Sequence, residues 1–256
     1  MPSFSPTRNY LFKLTEEVIV KYGLTGPFLE VGCGDGAFSV AFARRGWRGV
    51  ALDTSEQSAA LTRESLLRED LQDCVQVRRA DFMTCTFEQK FNVVVLYDVL
   101  EHVAQDRIFL KKIRAVLADG GFLLFSVPVK MKEWRWDDDD YGHLRRYENP
   151  ELKEMLDSPA AGFEKLVQWD ITFPVLWIMR RVYLSMFSPT KATEVLPIEA
   201  KTERSAFVNA GGNSILVRAV ASLPGWPLAY WLQDRFREKH QGCNTLILAR
   251  AVSIQV

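Results

Sequence analysis

The chain has 256 residues, 48% of them apolar, with 32 acidic and 32 basic side chains. That length suits one large α/β domain and is short for two independent ones, while the balanced charge excludes a global field that would draw the protein to nucleic acid or acidic lipid. Cys33, Cys74, Cys85 and Cys243 share no metal-like spacing, and the start, MPSFSPTRNYLFKLTEEV, lacks the apolar run of a signal peptide. Reduced thiols in a cytoplasmic protein are therefore expected.

Short β-rich runs alternate with helical segments through the first half, which predicts parallel strands joined by right-handed crossovers. The predicted strands are PFLEV, RGVALD, CVQVRRA, FNVVVLY and GFLLFSV. GAFSVAFARRG reads as a helix closed by Gly46, with Arg44 and Arg45 in a last turn that suits cations. TSEQSAALTRESLL has the T-x-x-Q form of a capping box at Thr54. DRIFLKKIRAVLADGG sets Ile108, Phe109, Ile113, Val116 and Leu117 along a helical stripe ended by Gly120 and Gly121. A polar, aromatic loop follows, then a helix with Pro150 at its start. EKLVQWDITF is a sixth strand and NTLILARAV a seventh.

Residues 1–256 thus read as a single domain, with 173–242 as a helical insertion between strands six and seven. The insertion holds FPVLWIMRRVYLSMF and ILVRAVASLPGWPLAYWLQDRF around a polar piece from Ser188 to Asn213. Arg180 and Arg181 interrupt the first stretch, which is too short to span a bilayer. A lid over a bulky substrate, a peripheral membrane contact and a homodimer interface all fit an apolar element of this kind.

LEVGCGDGAF ends a strand on an acid and then places Gly32, Gly34 and Gly36 at alternate positions. Backbone at Gly32 and Gly34 is open to a ligand that a Cβ would block. The loop alone also satisfies the dinucleotide pattern G-x-G-x-x-A, ending at Ala37, so an NAD-dependent oxidoreductase is one alternative. Asp53, closing the second strand, is placed to accept hydrogen bonds from a ribose. Asp81 can accept from an adenine amine while Phe82 covers the ring.

The series LEVGCGDG, ALD, ADF and VVLYDVLEHV, followed by LADGGFLLFSVP, resembles the class I S-adenosylmethionine-dependent methyltransferases over residues 25 to 130. That resemblance implies a Rossmann-like, seven-stranded, mostly parallel sheet with an antiparallel last strand and helices on both faces. It further implies S-adenosylmethionine as cofactor, with Glu30 near its methionine end, the Gly32 to Gly34 backbone along it, Asp53 and Thr54 at the ribose, Asp81 and Phe82 at adenine, and Tyr97 beneath it. A non-catalytic cofactor-binding scaffold is the remaining alternative.

Methyl transfer to a hydroxyl requires an aligned nucleophile and removal of its proton. His102, His143 and His240 are the three histidines of the chain. His102 follows the fourth strand, where side chains face a ligand, and its EHV segment is similar to that of the ubiquinone-biosynthesis O-methyltransferases. Asp98, Glu101 and His102 form D-x-x-E-H, which resembles the E-x-x-E-H metal cluster of some of those enzymes. Asp98 stands where that cluster has Glu, both acids serve equally at a helix N-terminus, and no metal ligand is assigned. The YGHLRRY element resembles a GH-x-R-x-Y loop of bacterial methyltransferases. Within it His143 is a second candidate base, and Tyr141, Arg145 and Arg146 are candidate acceptor contacts; an internal pairing of these arginines with Asp137 to Asp140 is the alternative. The expected reaction is methylation, at oxygen rather than nitrogen, of a small-molecule, glycan-like or lipid-linked acceptor. DNA and RNA are disfavoured, since YDVL is not the tetrapeptide type used on nucleobase amines.

Overall fold

Seven strands form one sheet in the computed structural model, which describes residues 5–157, 161–186 and 225–253. The strands are β1 (Phe28–Val31), β2 (Gly49–Asp53), β3 (Val75–Arg79), β4 (Phe91–Tyr97), β5 (Leu117–Pro128), β6 (Phe163–Asp170) and β7 (Asn244–Ala251). Their spatial order is β3-β2-β1-β4-β5-β7-β6, parallel from β3 to β5, with β7 antiparallel to both its neighbours. The continuous apolar run of β4 explains its central place, because side chains alternate between faces and both faces are covered. Val94 and Leu96 join the core on one side, and Val93 and Val95 the core on the other.

Helices cover both faces. They are α1 (Pro6–Tyr22), α2 (Ala37–Arg44), α3 (Glu56–Leu67), α4 (Asp106–Val116), α5 (Trp136–Tyr141), α6 (Asn149–Asp157), α7 (Val175–Met186) and α8 (Trp226–Phe236). Ser5 caps α1, with Pro6 at its first position and Gly23 in the left-handed conformation past its end. Its buried face includes Tyr10, Leu14 and Val18, which pack with strand residues Val93 and Leu248.

Three local expectations are corrected. The cap of α3 is Ser55 rather than Thr54, and its hydroxyl accepts from the Ser58 amide at 3.4 Å. In α4 the buried face carries Phe109, Leu110 and Ile113, while Ile108 is exposed. This helix stops at Val116 because Leu117 already pairs with Phe91 as β5 begins, so Gly120 and Gly121 lie within the strand rather than closing the helix.

The segment after β5 is not a plain loop, because WDDDDY forms α5, ended by Gly142 at φ 74°. Of the insertion, α7 and α8 are described, and Gln233 of α8 accepts from the amides of Val175 and Leu176 at the start of α7. The piece from Ser188 to Asn213 and the first part of the second apolar stretch, including Pro224, lie outside the described residues. Among the described residues, no helix is long and apolar enough to cross a membrane.

Candidate active site

The strand order reverses between β1 and β4, and the carboxyl ends of these neighbours open the crevice where open α/β sheets bind ligands. A cavity of about 780 Å3 lies there, lined by residues from the ends of β1, β2 and β4, from the turn after β3 and from α1. Glu30, Gly32, Gly34, Asp53, Thr54, Asp81, Phe82, Tyr97 and His102 all line it.

Gly32 leaves β1 at φ 76°, and a Cβ there would come within 2.5 Å of a Val99 methyl. Gly34, at φ 54°, has nothing within 4 Å of an added Cβ. Its amide donates to Asp53 Oδ2 at 3.0 Å, and Asp53 Oδ1 accepts from the Ser55 amide at 2.9 Å. The glycine turn and the strand-end carboxylate therefore hold each other before any ligand arrives. Asp81 is exposed and accepts from the Met83 amide at 2.8 Å, while Phe82 is buried against Phe109 with ring centroids 4.9 Å apart. The Tyr97 hydroxyl lies 2.7 Å from Thr15 Oγ1 on α1, and burial raises its pKa above the ordinary phenol value.

Glu30 is buried, and the Ser39 hydroxyl donates to its carboxylate. Burial pushes this carboxyl up to about 8; the Ser39 hydrogen bond opposes the rise and the charges of Asp35 and Asp53 add to it. Burial thus favours the protonated form of Glu30 near neutral pH.

On the opposite wall, His102 sits in a short 3-10 turn after β4. Its Nδ1 lies 3.2 Å from the carbonyl oxygen of Gly142. A carbonyl only accepts, so Nδ1 carries the proton and Nε2 is the basic nitrogen of the neutral ring. Burial, and then the neighbouring His143, lower the His102 pKa to about 4.

The loop after β5 docks on this turn. The Leu144 amide donates to the Glu101 carbonyl at 2.9 Å, and the Tyr147 hydroxyl donates to the Leu100 carbonyl at 3.1 Å. His143 does not line the cavity. It lies behind His102, ring centroids 5.0 Å apart and edge to face, with Nδ1 2.8 Å from Asp138 Oδ1. Arg145 and Arg146 are likewise not brought to the cavity. Arg145 pairs with Asp106 at 2.6 Å and donates to the Ala104 carbonyl, while Arg146, buried, pairs with Asp138 and donates to the carbonyls of Val129 and Cys243. Tyr141 ends α5 beside His143, ring centroids 5.8 Å apart, and burial pushes its hydroxyl up to about 12.

Asp138 is the centre of this region. Fully buried, it accepts from His143, from Arg146 Nε, whose Nη2 also lies 2.8 Å away as an ion pair, from the Arg135 amide, and from Arg180 Nη2 at 3.2 Å. Burial alone would raise its pKa, but the His143 and Arg146 interactions outweigh it and hold the carboxyl below the ordinary value. Arg180, which interrupts the apolar run of α7, turns inward to form a bidentate pair with Asp137 at 2.6 and 2.8 Å. Arg181 pairs with Glu133 at 3.0 Å and lies over the Trp177 ring.

Of the D-x-x-E-H element, Asp98 is engaged by other partners and is not part of the grouped ligand atoms. Asp98, at φ 52°, accepts from Ser126 Oγ at 2.8 Å and from Asn244 Nδ2 at 3.0 Å. Glu101, His102 and His143 instead bring three candidate ligand atoms within 4.8 Å of one another. Glu101 is fully buried, and neither carboxylate oxygen has a hydrogen-bond partner. Burial, reinforced by Asp98, raises its pKa well above the usual carboxylate value. An orphaned acid between two imidazoles fits a divalent ion, and the Nδ1 bonds to a carbonyl and a carboxylate are those that commonly orient metal-binding histidines.

Sequence reasoning missed the fourth side of the cavity. Ser5, Thr7, Arg8 and Leu11 of the α1 region line it, and so does Leu144. Among the described residues lining the cavity, Arg8 carries the one permanent positive charge, and it pairs with Asp35 at 2.6 Å. The Ser-Pro cap signal for α1 was present in the sequence, but nothing local in it says which part of the sheet the helix crosses.

The family described as a methyltransferase domain matches residues 7–168. The ubiquinone biosynthesis O-methyltransferase of Idiomarina loihiensis is 32% identical over 114 residues, covering 44% of this chain and 47% of its own length. Its counterpart in Parvibaculum lavamentivorans is 30% identical over 132 residues, covering 48% and 51%. The chain thus spans about half the length of the curated relatives it matches. Among solved structures, the N-methyltransferase NodS of Bradyrhizobium japonicum aligns over 97% of this chain and 98% of its own, with a TM-score of 0.56 at 12% identity, which is a likeness of fold alone.

Proposed function

The chain belongs to the methyltransferase-domain family, and from that premise we propose that it methylates an oxygen of a small-molecule or lipid-linked acceptor, using S-adenosylmethionine. The observation that carries this reading is the cavity at the strand switch point, with acids placed for a nucleoside on one wall and the basic Nε2 of His102 on the other. Family membership sets aside the NAD reading of the glycine loop.

The cofactor supplies a methyl group on a sulfonium, open to in-line displacement. Asp53 would bind the ribose hydroxyls, with Thr54 beside it, because its carboxylate is already fixed by two amides and loses little freedom on binding. Gly32 and Gly34 would let the backbone approach, and Asp81 and Phe82 would hold adenine. Tyr97, tied to Thr15, would form the floor, and Glu30 and Arg8 would face the amine and carboxylate of the methionine end. His102 would take the acceptor hydroxyl's proton at Nε2. A ring held neutral down to about pH 4 is ready as a base throughout the neutral range. The unpartnered oxygens of Glu101 favour a second reading, in which Glu101, His102 and His143 hold a divalent ion that lends Lewis acidity to the same acceptor oxygen.

Residues 1–256 are read as one domain, with 173–242 contributing acceptor specificity. The exposed Ile178, Val182, Tyr183 and Met186 of α7, with Leu228 and Trp231 of α8, suit a lipid-linked acceptor, a membrane surface or a second copy.

Calorimetry should detect S-adenosylhomocysteine binding and none of NAD. Transfer of labelled methyl to a panel of phenols, catechols and polyprenyl phenols, with and without chelator, tests the reaction. Binding of NAD alone sinks the proposal, and loss of turnover in chelator selects the second reading. Flotation with anionic liposomes tests the insertion.

A further inference from the structure

The two imidazoles at the acceptor side are set by one buried carboxylate. Asp138 accepts the Nδ1 proton of His143 directly. Its backbone carbonyl also accepts from the amides of Gly142 and His143, closing α5 on a left-handed glycine whose own carbonyl receives Nδ1 of His102. The carboxylate fixes that turn from four directions, through Arg146 after it, Arg180 of α7, the Arg135 amide before it and His143 within it. None of these partners reaches the cavity, so the network has no evident part in binding the cofactor.

We infer that Asp138 is a positioning residue which, through His143 directly and through the Gly142 carbonyl at one remove, holds both rings with the proton on Nδ1. The catalytic consequence rests on the reading of His102 given above; the tautomers themselves do not. A ring whose neutral form is locked with Nδ1–H presents Nε2 as its lone pair all the time, whereas an unrestrained ring divides between two tautomers and two orientations. The loop after β5 thereby does more than shape the acceptor pocket. Docked through Leu144 on the Glu101 carbonyl, it delivers the Gly142 oxygen that makes His102 a base on the correct nitrogen. His143 has its Nε2 3.9 Å from Glu101 Oε1, beyond direct hydrogen-bond reach.

Long-range 15N–1H correlation spectra of the full chain, labelled in histidine and saturated with S-adenosylhomocysteine, read the tautomers directly. In the wild type, His102 and His143 should both appear as Nδ1–H rings, assigned by His102→Gln and His143→Gln. Asp138→Asn should convert both to mixtures, provided that its melting curve shows a folded protein. Gly142→Ala strains only the turn, so it should release His102 while His143 keeps its Nδ1 proton; a merely structural weakening would move both rings or neither. With an acceptor in hand, turnover in Gly142→Ala should fall by about 10- to 100-fold, with S-adenosylhomocysteine affinity unchanged. An Nε2–H form of His102 in the wild type, or an unchanged His102 in both variants, would overturn the inference. Absence of S-adenosylhomocysteine binding would instead overturn the proposed function, whatever the tautomers.

Discussion

The wall built by β1, β2 and the turn after β3 and the loop that follows β5 use acidic residues in opposite ways. On the wall, Asp53 accepts from the amides of Gly34 and Ser55 and Asp81 from that of Met83, and both line the cavity. In the loop, Asp137 and Asp138 are turned inward and taken up by Arg146 and Arg180. A carboxylate held by amides keeps lone pairs for a ligand, whereas one surrounded by guanidinium groups is saturated and serves as structure. Density of charge in the sequence therefore says little about where ligands bind, and the partner type decides.

The largest effect separating the two regions is expected at the reacting group. His102→Ala should lower methyl transfer by about 10^2- to 10^4-fold, as for loss of a general base, and change S-adenosylhomocysteine affinity by only about a few-fold. Equal losses in both quantities would return His102 to the cofactor wall. Next is Asp138→Ala, which leaves the buried guanidinium of Arg146 without its partner. A loss of about 3–5 kcal/mol in unfolding free energy is expected from chemical denaturation. A melt indistinguishable from the wild type would mean that the network is not the structural counterpart argued above.

Asp53→Ala should act on the other side alone, weakening S-adenosylhomocysteine by about 100-fold in calorimetry through two lost charge-assisted hydrogen bonds. Stability should change little, because the Gly34 and Ser55 amides it leaves behind border the open cavity. A smaller effect, about tenfold, is expected for Arg8→Ala if the guanidinium exchanges Asp35 for the cofactor carboxylate. An affinity equal to wild type would leave Arg8 as a tether between α1 and the glycine turn.

The same contrast explains what the sequence made legible. Glu30, the glycines, Asp53, Asp81 and Tyr97 lie at or just past strand ends, and a regular parallel sheet gathers its strand ends at one edge. Their positions in the chain are thus nearly positions in space. Asp138 had no such marker among four consecutive aspartates, because Arg180 is 42 residues away in sequence and pairs only after α7 has packed on the loop. Arg145 and Arg146 are adjacent yet serve Asp106 and Asp138 on different elements, a split that only tertiary placement reveals. The Ser55 cap and the exposure of Ile108 are ordinary one-residue shifts of helix start and helix face.

A final test concerns Glu30 and His102, two groups lining the cavity whose pKa values are moved in opposite directions by burial. Glu30, raised from 4.5 to about 8, keeps its proton in the folded protein across a range where the unfolded chain has lost it. Raising the pH through that range therefore favours unfolding, and the destabilisation is complete above about 8. His102, lowered from 6.5 to about 4, acts in the opposite direction, since acidification from 6.5 to 4 protonates only the unfolded chain. Between pH 4.5 and 6.5 the two trends oppose each other, and from 6.5 to 8 the trend of Glu30 is left. Melting temperature of the ligand-free protein should thus decline from pH 6.5 to 8, and less steeply in Glu30→Gln. Saturation with S-adenosylhomocysteine should also flatten the part due to Glu30, because a cofactor ammonium beside that carboxyl favours its ionised form. A decline in Glu30→Gln as steep as in the wild type would show that Glu30 is already ionised in the ligand-free protein, and an unchanged slope on saturation would move the methionine end of the cofactor away from it.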